Sequence, residues 1–267
     1  RSFIQDSRKI GVDVIPEFDM PAHALAITRV FDQYMSKVSG GQHKYLIDEL
    51  DISQDEAIQI AKDIWAEYLE GDDPVFDEET TIHIGTDEFH GGSNGNEAFR
   101  KFSDEMIEYI QSTGRKVRMW GSLSNKSGTT SVRSEGVQLN MWANNYADPR
   151  TMYNAGYDLI NTQYSNLYIV PASNKNRGAY GDYLPTERLY TSWKPNSMGN
   201  LTTKAGDEQM LGAVFAIWHD CIDTRANGIS EYDSFDRFFD AAPVVAARLW
   251  GETEDRTWSE FTEEIKK

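Results

Sequence analysis

Short apolar runs alternate along this chain with longer segments whose apolar positions recur at helical spacing. The strand-like runs are Val12–Pro16, Thr81–Gly85, Val117–Trp120, Val137–Trp142, Tyr157–Thr162 and Ala213–Trp218, most of them rich in β-branched or aromatic side chains. Between them, Ser53-Gln54-Asp55-Glu56 has the form of a capping box. Ala57, Ile60, Ala61, Ile64, Trp65 and Tyr68 then share one helical face, and Gly71 is a stop. Phe99, Phe102, Met106, Ile107 and Ile110 repeat the pattern before Gly114, and Phe235 to Trp250 supplies a third apolar helix. Strands alternating with helices predict an α/β fold with a parallel sheet and right-handed crossovers, either a barrel or a doubly wound sheet. No short-period repeat, low-complexity tract or Pro/Ser-rich linker interrupts the pattern, so residues 1–267 read as a single domain.

Composition narrows the partners. The net charge of −17 and the absence of a basic stripe make nucleic acid a poor partner. Apolar residues at 39% and aromatic residues at 12% are enough for a core, which argues against disorder despite the charge. No apolar run approaches the roughly 18 residues of a membrane span. Cys221 is the single cysteine, leaving no internal disulfide and no cysteine-based zinc site. A chain opening on Arg1, without a signal-like segment, reads as a processed protein or a piece of a longer one.

In parallel α/β folds of the barrel kind, chemistry collects where strands end, and here the strand ends are unusual. Asp87-Glu88 follows an apolar strand and precedes His90-Gly91-Gly92. Neighbours on a regular strand point to opposite faces, so the two carboxylates converge only if the strand breaks. They read either as a solvated acidic turn or as a pair whose pKa values are pushed apart, one acid and one base, as glycoside hydrolysis requires. Trp120, Trp142 and Trp218 each close a candidate strand; singly each reads as core, whereas together they suit the apolar face of a sugar ring. Glu17, Asp19 and His23 crowd another strand end, where His23 is either a satisfied structural residue or a group tuning a proton donor. Phosphate-loop, dinucleotide and Ser-His-Asp signatures are absent, and the spacing of His83 and His90 matches no zinc pattern. No cofactor or metal is expected.

Gly11–His23 (GVDVIPEFDMPAH) together with Ile82–Glu88 (IHIGTDE) resembles glycoside hydrolase family 20, the β-N-acetylhexosaminidases and lacto-N-biosidases. Ala241–Glu252 (AAPVVAARLWGE) resembles that family's helix after the last barrel strand, and the likeness runs through essentially the whole chain. The resemblance implies a (β/α)8 barrel and substrate-assisted catalysis, in which the substrate's own 2-acetamido oxygen attacks the anomeric carbon. It implies that Glu88 protonates the leaving oxygen and later activates water. Asp87 would hold the acetamido N–H and stabilise the developing positive charge, and Tyr168 would hydrogen-bond the acetamido oxygen. Trp120, Trp142 and Trp218 match the walls of the sugar pocket, and Asp19 and His23 match partners of the acid. A glycan substrate and a secreted or cell-surface setting follow from the same likeness.

Two departures qualify the match. The family's first two strands, with a sugar-gripping arginine, have no counterpart, so the chain reads as strands three to eight of an N-terminally incomplete barrel. Monosaccharide-releasing members carry Asp or Asn two residues after the strand-seven tyrosine and often Trp-x-Glu on strand eight. Here these positions are Val170 and Trp218-His219-Asp220. Trp-x-Asp resembles the lacto-N-biosidase branch, with Asp220 expected on a sugar hydroxyl. The alternatives are release of single N-acetylhexosamines, a carbohydrate-binding remnant without turnover, and a barrel hydrolase with a protein nucleophile.

Overall fold

A computed structural model of the protein describes residues 1–37, 45–91, 95–172, 180–221, 228–251 and 255–265. In chain order the elements begin with α1 (Ser2–Lys9), β1 (Glu17–Met20), α2 (Leu25–Thr28), β2 (Met35–Lys37), β3 (Tyr45–Leu50), α3 (Asp55–Leu69), β4 (Ile82–Gly85), α4 (Gly95–Ser112) and β5 (Val117–Trp120). There follow β6 (Val137–Met141), α5 (Pro149–Asn154), β7 (Asp158–Asn161), α6 (Tyr164–Leu167), β8 (Tyr168–Ile169) and α7 (Thr186–Ser192). The last are β9 (Ser197–Met198), β10 (Leu201–Thr202), β11 (Met210–Ala213), β12 (Ala216–Ile217), α8 (Glu231–Trp250) and α9 (Trp258–Ile265). Two compact units are formed, Arg1–Leu139 with Asn145–Ala147 and Thr151–Asp158, and Asn140–Asn144 with Asp148–Arg150 and Leu159–Lys267; the division passes through β6.

The strand order is β1-β4-β5-β6-β7-β11. Parallel pairing joins β1 to β4, β4 to β5, and β7 to β11. A doubly wound sheet reverses its order at a switch point. This order advances steadily with the chain, as in a barrel. β2 and β3 add an antiparallel hairpin, and β8 and β12 a short parallel pair.

In the first unit the core is the meeting of α3 and α4 with the sheet. Trp65, Phe99, Phe102, Met106, Ile107 and Ile110 are fully buried, and Phe18 of β1 lies with its ring 4.4 Å from that of Trp65. The α4 stripe is the expected one, ended by Gly114 at φ 83°. In the second unit Leu189 and Tyr190 of α7, Val244 and Val245 of α8 and Phe261 of α9 form the core.

Four expectations need correction. The first strand is Glu17–Met20, not Val12–Pro16, and Val12 is exposed. Its period-two pattern is inverted in character: Phe18 and Met20 pack inward, while Glu17 and Asp19 occupy the alternate face. Ser53-Glu56 forms no capping box. Asp51 captures the serine hydroxyl at 2.5 Å, and α3 starts after Gln54 without a side-chain cap; its buried face includes Ile58 and Leu69 rather than Ile60 and Ile64. The run Ala213–Trp218 is two strands, β11 and β12, because the chain changes partner from β7 to β8. The helix expected at Phe235 starts at Glu231, where Ser230 and Asp233 make a genuine capping box. Gly92 and Glu252 lie outside the described residues.

Candidate active site

The acidic pair is built on a broken strand. β4 ends at Gly85 (φ 75°), and Thr86 (φ 84°) and Glu88 (φ 46°) are also left-handed. A non-glycine residue held there costs about 1–3 kcal/mol, and for a β-branched threonine the conformation is an outlier. The break thus begins before the pair, at Gly85 and Thr86. Asp19 on β1 secures it, its Oδ1 accepting from Thr86 N at 3.1 Å. The approach is so close that a Cβ on Gly85 would stand 2.6 Å from the Asp19 Cα, so only glycine fits.

The break turns Asp87 and Glu88 to the same neighbour. His23, itself at φ 56°, places Nε2 3.8 Å from Asp87 Oδ2 and 3.4 Å from Glu88 Oε2. Asp19, His23 and Asp87 each offer an atom within 4.8 Å of the others, the one grouping among the described residues that could accept a cation. Alongside, Trp120 Nε1 donates to Glu17 Oε1 at 2.7 Å, and His83 Nδ1 stands 3.1 Å from the same oxygen. Burial works against the Glu17 charge, but the contacts from His83 and Trp120 prevail and hold it below the usual carboxylate range.

The four groups around the break hold protons unequally. Burial, and then the Asp87 carboxylate, push Asp19 up to about 9. Burial also raises Asp87, while the hydrogen bond from Asp19 favours its charged form, so the proton of that pair sits on Asp19. The hydrogen bond to Glu88 raises His23 to about 9, and the same bond lowers Glu88. The pair His23–Glu88 is therefore imidazolium and carboxylate. A stability prediction follows from Asp19. The unfolded chain ionises it near 4, whereas the folded chain keeps its proton to about 9. Its favourable contribution is complete below pH 4 and is lost as pH rises through 9. Asp19→Asn, which mimics the protonated acid, should flatten the decline of denaturation midpoint between pH 5 and 9; an unchanged pH slope would refute the assignment.

In the second unit Tyr168 opens β8, and the β8–β12 ladder sets Trp218 beside it. Their rings lie 5.7 Å apart, edge to face, and Trp218 N donates to Ile169 O at 2.8 Å. Tyr180 and Tyr164, which the motifs did not single out, extend the group, their ring centroids 5.6 and 6.4 Å from Tyr168. Trp142 is buried just beyond β6, Val170 is buried after β8, and Asp220 is exposed after β12. Asp19, His23, Asp87 and Glu88 are thus brought together in one unit, and Tyr168 and Trp218 in the other. His90 is hydrogen-bonded to Glu49, its Nδ1 2.8 Å from Oε1.

A parallel sheet whose strands follow chain order, with an acidic pair just past the C-terminal end of one of them, puts the candidate site where parallel α/β barrels carry their chemistry. The chain belongs to glycosyl hydrolase family 20, whose catalytic-domain model matches residues 1–253. It is 23% identical to a lacto-N-biosidase of Bifidobacterium bifidum over 100% of this chain and 24% of that protein. It is 24% identical to a chitooligosaccharidolytic β-N-acetylglucosaminidase of Ostrinia furnacalis over 94% of this chain and 46% of that protein. Among solved structures, a β-N-acetylhexosaminidase from Bacteroides fragilis superposes with a TM-score of 0.72 at 20% identity, over 99% of this chain and 53% of that one. The chain thus spans less than half the length of either sequence relative. Its six-stranded parallel sheet, which does not close, fits part of a (β/α)8 barrel such as that structural neighbour's. Among the described residues no helix is long and apolar enough to cross a membrane.

Proposed function

We propose that the chain carries the acid–base half-site of a retaining glycosidase for β-linked N-acetylhexosaminides, of secreted or surface origin. The observation that supports it most is the pairing of Asp87 and Glu88 around His23, at 3.8 and 3.4 Å, on a strand broken by left-handed residues. In the first step the acetamido oxygen bonds to the anomeric carbon as the glycosidic C–O bond breaks. Glu88 Oε2 gives its proton to the departing oxygen. The free site stores that proton on His23, which hands it across 3.4 Å when bound sugar excludes water from the carboxylate. The oxazolinium that forms is cationic, and the ionised Asp87 faces it. In the second step Glu88, now a carboxylate, takes a proton from water as the water's oxygen bonds to the anomeric carbon and the ring opens, with net retention. Tyr168 holds the acetamido oxygen, and Trp120, Trp142 and Trp218 wall the sugar. An amide nucleophile already in the substrate needs this positioning and charge stabilisation more than a protein nucleophile.

The leaving unit is proposed to be a galactosyl-N-acetylglucosamine disaccharide. Val170 offers no hydrogen-bonding group where single-sugar relatives hold hydroxyls, and Asp220 is one methylene shorter than the glutamate usual there. A lost hydroxyl contact changes preference by about 1–3 kcal/mol. Chromatography of lacto-N-tetraose digests should show the disaccharide, and Asp220→Ala should slow its release. Activity confined to terminal N-acetylglucosaminides would return the reading to an exo-hexosaminidase.

A further inference from the structure

The three residues after Glu88 are held by two buried, oppositely charged side chains that take no part in the chemistry above. Glu49, on β3, is 2% exposed. Its Oε1 accepts from His90 N at 2.8 Å and also meets His90 Nδ1 at 2.8 Å, while Oε2 accepts from Gly91 N at 3.2 Å. Lys126, 8% exposed, donates from Nζ to the Phe89 carbonyl. Its ammonium lies over the Phe89 and Phe99 rings, 5.9 and 5.6 Å from their centroids, and those rings stack on each other at 5.8 Å.

We propose that Glu49 and Lys126 are positioning residues, a two-sided clamp that sets the Glu88 carboxyl by fixing the backbone that leaves it. The inference rests on Glu88 being the acid–base group. Glu88 and Gly91 both lie in the left-handed region, at φ 46° and 47°. Such a conformation persists in a non-glycine residue only when its surroundings over-determine it. Upstream, Asp19 does this through Thr86 N. Downstream, Lys126 takes the carbonyl and Glu49 takes the next two amides, so the peptide groups that follow Phe89 are fixed. Buried ions are costly unless fully bonded. Here every oxygen of Glu49 is used, and the Lys126 charge is met by a carbonyl and two aromatic faces. Removing either ion leaves buried backbone groups unpaired and lets Glu88 relax towards the right-handed region, carrying its carboxyl away from the glycosidic oxygen.

A displaced acid harms most the substrates that depend most on protonation. In the intact protein, Lys126→Met and Glu49→Gln should lower kcat/KM by about ten- to a hundred-fold on aryl N-acetyl-β-glucosaminides with poor leaving groups. The loss should shrink steadily towards nitrophenyl substrates, steepening the leaving-group dependence, with KM little changed. Lys126→Arg, which keeps the cation, should restore the shallower dependence. Each rate is normalised to folded protein by near-UV circular dichroism. Equal losses along the series would assign the two residues to stability alone and overturn the clamp. If Lys126→Met does not fold, Glu49→Gln and Lys126→Arg decide by the same criterion. Glu88→Gln, measured alongside, separates the two levels: if it leaves the dependence unchanged, the acid assignment falls and the clamp with it. If Glu88→Gln alone steepens it, only the clamp falls.

Discussion

Replacing Glu88 by glutamine should cost about 10²–10⁴-fold in kcat/KM on natural glycans, the usual contribution of a positioned general acid. A glutamine amide fills the same space and still hydrogen-bonds His23, but it has no proton to give a departing alkoxide. The loss should therefore collapse on substrates that leave as stable phenolates, since these need little protonation. It should collapse further with a small anionic nucleophile such as azide, which attacks the intermediate without a general base. Equal loss across a leaving-group series, with no azide effect, would remove Glu88 from the acid–base role. The pH profile adds an independent check. In the free protein Glu88 is held below the usual range by His23, so the basic limb of kcat/KM should follow His23, near 9. His23→Asn should move that limb towards acid pH, because Glu88 then titrates without its proton store.

Asp87→Asn should be about as damaging and differ in kind. On the proposed mechanism Asp87 faces the positive charge of the oxazolinium, and removing one preorganised electrostatic partner costs about 10²–10³-fold. Every substrate passes through that intermediate, so the loss should be uniform along the leaving-group series, and azide should not relieve it. The folded state should change little: Asp19 keeps its proton up to about 9 and can still donate to the amide oxygen, so the variant should melt close to the parent temperature. A loss graded with leaving group, as for Glu88→Gln, would show that the two carboxylates do not divide the work in this way.

What could be read from the residues alone divides along physical lines. α4 was legible almost to its ends, because its apolar stripe at Phe99, Phe102, Met106, Ile107 and Ile110 serves only packing. β4 and β5 were legible because their buried positions are mostly apolar, so His83 and Trp120, which turn to Glu17, do not mask the run. β1 was misplaced by about one strand length. Its alternating positions Glu17 and Asp19 belong to the site, so the strand that matters most chemically looks polar, while the preceding apolar run Val12–Pro16 is no strand. The acidic pair was visible as a motif and its need for a strand break could be argued. That the break lies at Gly85 and Thr86 depends on Asp19 arriving from another strand, 67 residues away. Glu49 had no local signal at all: a glutamate in the run Tyr45–Leu50 looks like a solvent-facing residue until the loop at His90 folds over it. Lys126 was equally silent, for it is buried by Phe89 and Phe99 from distant segments.

The sharing of protons around the strand break also sets the sign of the field at the moment of reaction. With one proton held on Asp19 in its pair with Asp87, and His23 cationic beside a carboxylate Glu88, those four groups sum to one negative charge. Passing the proton from His23 to Glu88 moves charge without changing that sum. When, on the proposed mechanism, Glu88 then surrenders the proton to the departing sugar, the four groups become more negative by one, just as the bound ring becomes positive by one. Substrate and protein thus separate charge across a few ångströms, and on the proposed mechanism a bound sugar that displaces solvent from the half-exposed His23 and Glu88 strengthens their attraction. A neutral sugar gains nothing from this arrangement on entering, whereas the short-lived cation gains all of it. Mimics that carry a permanent positive charge at the anomeric position should therefore bind far more tightly than the sugars they imitate.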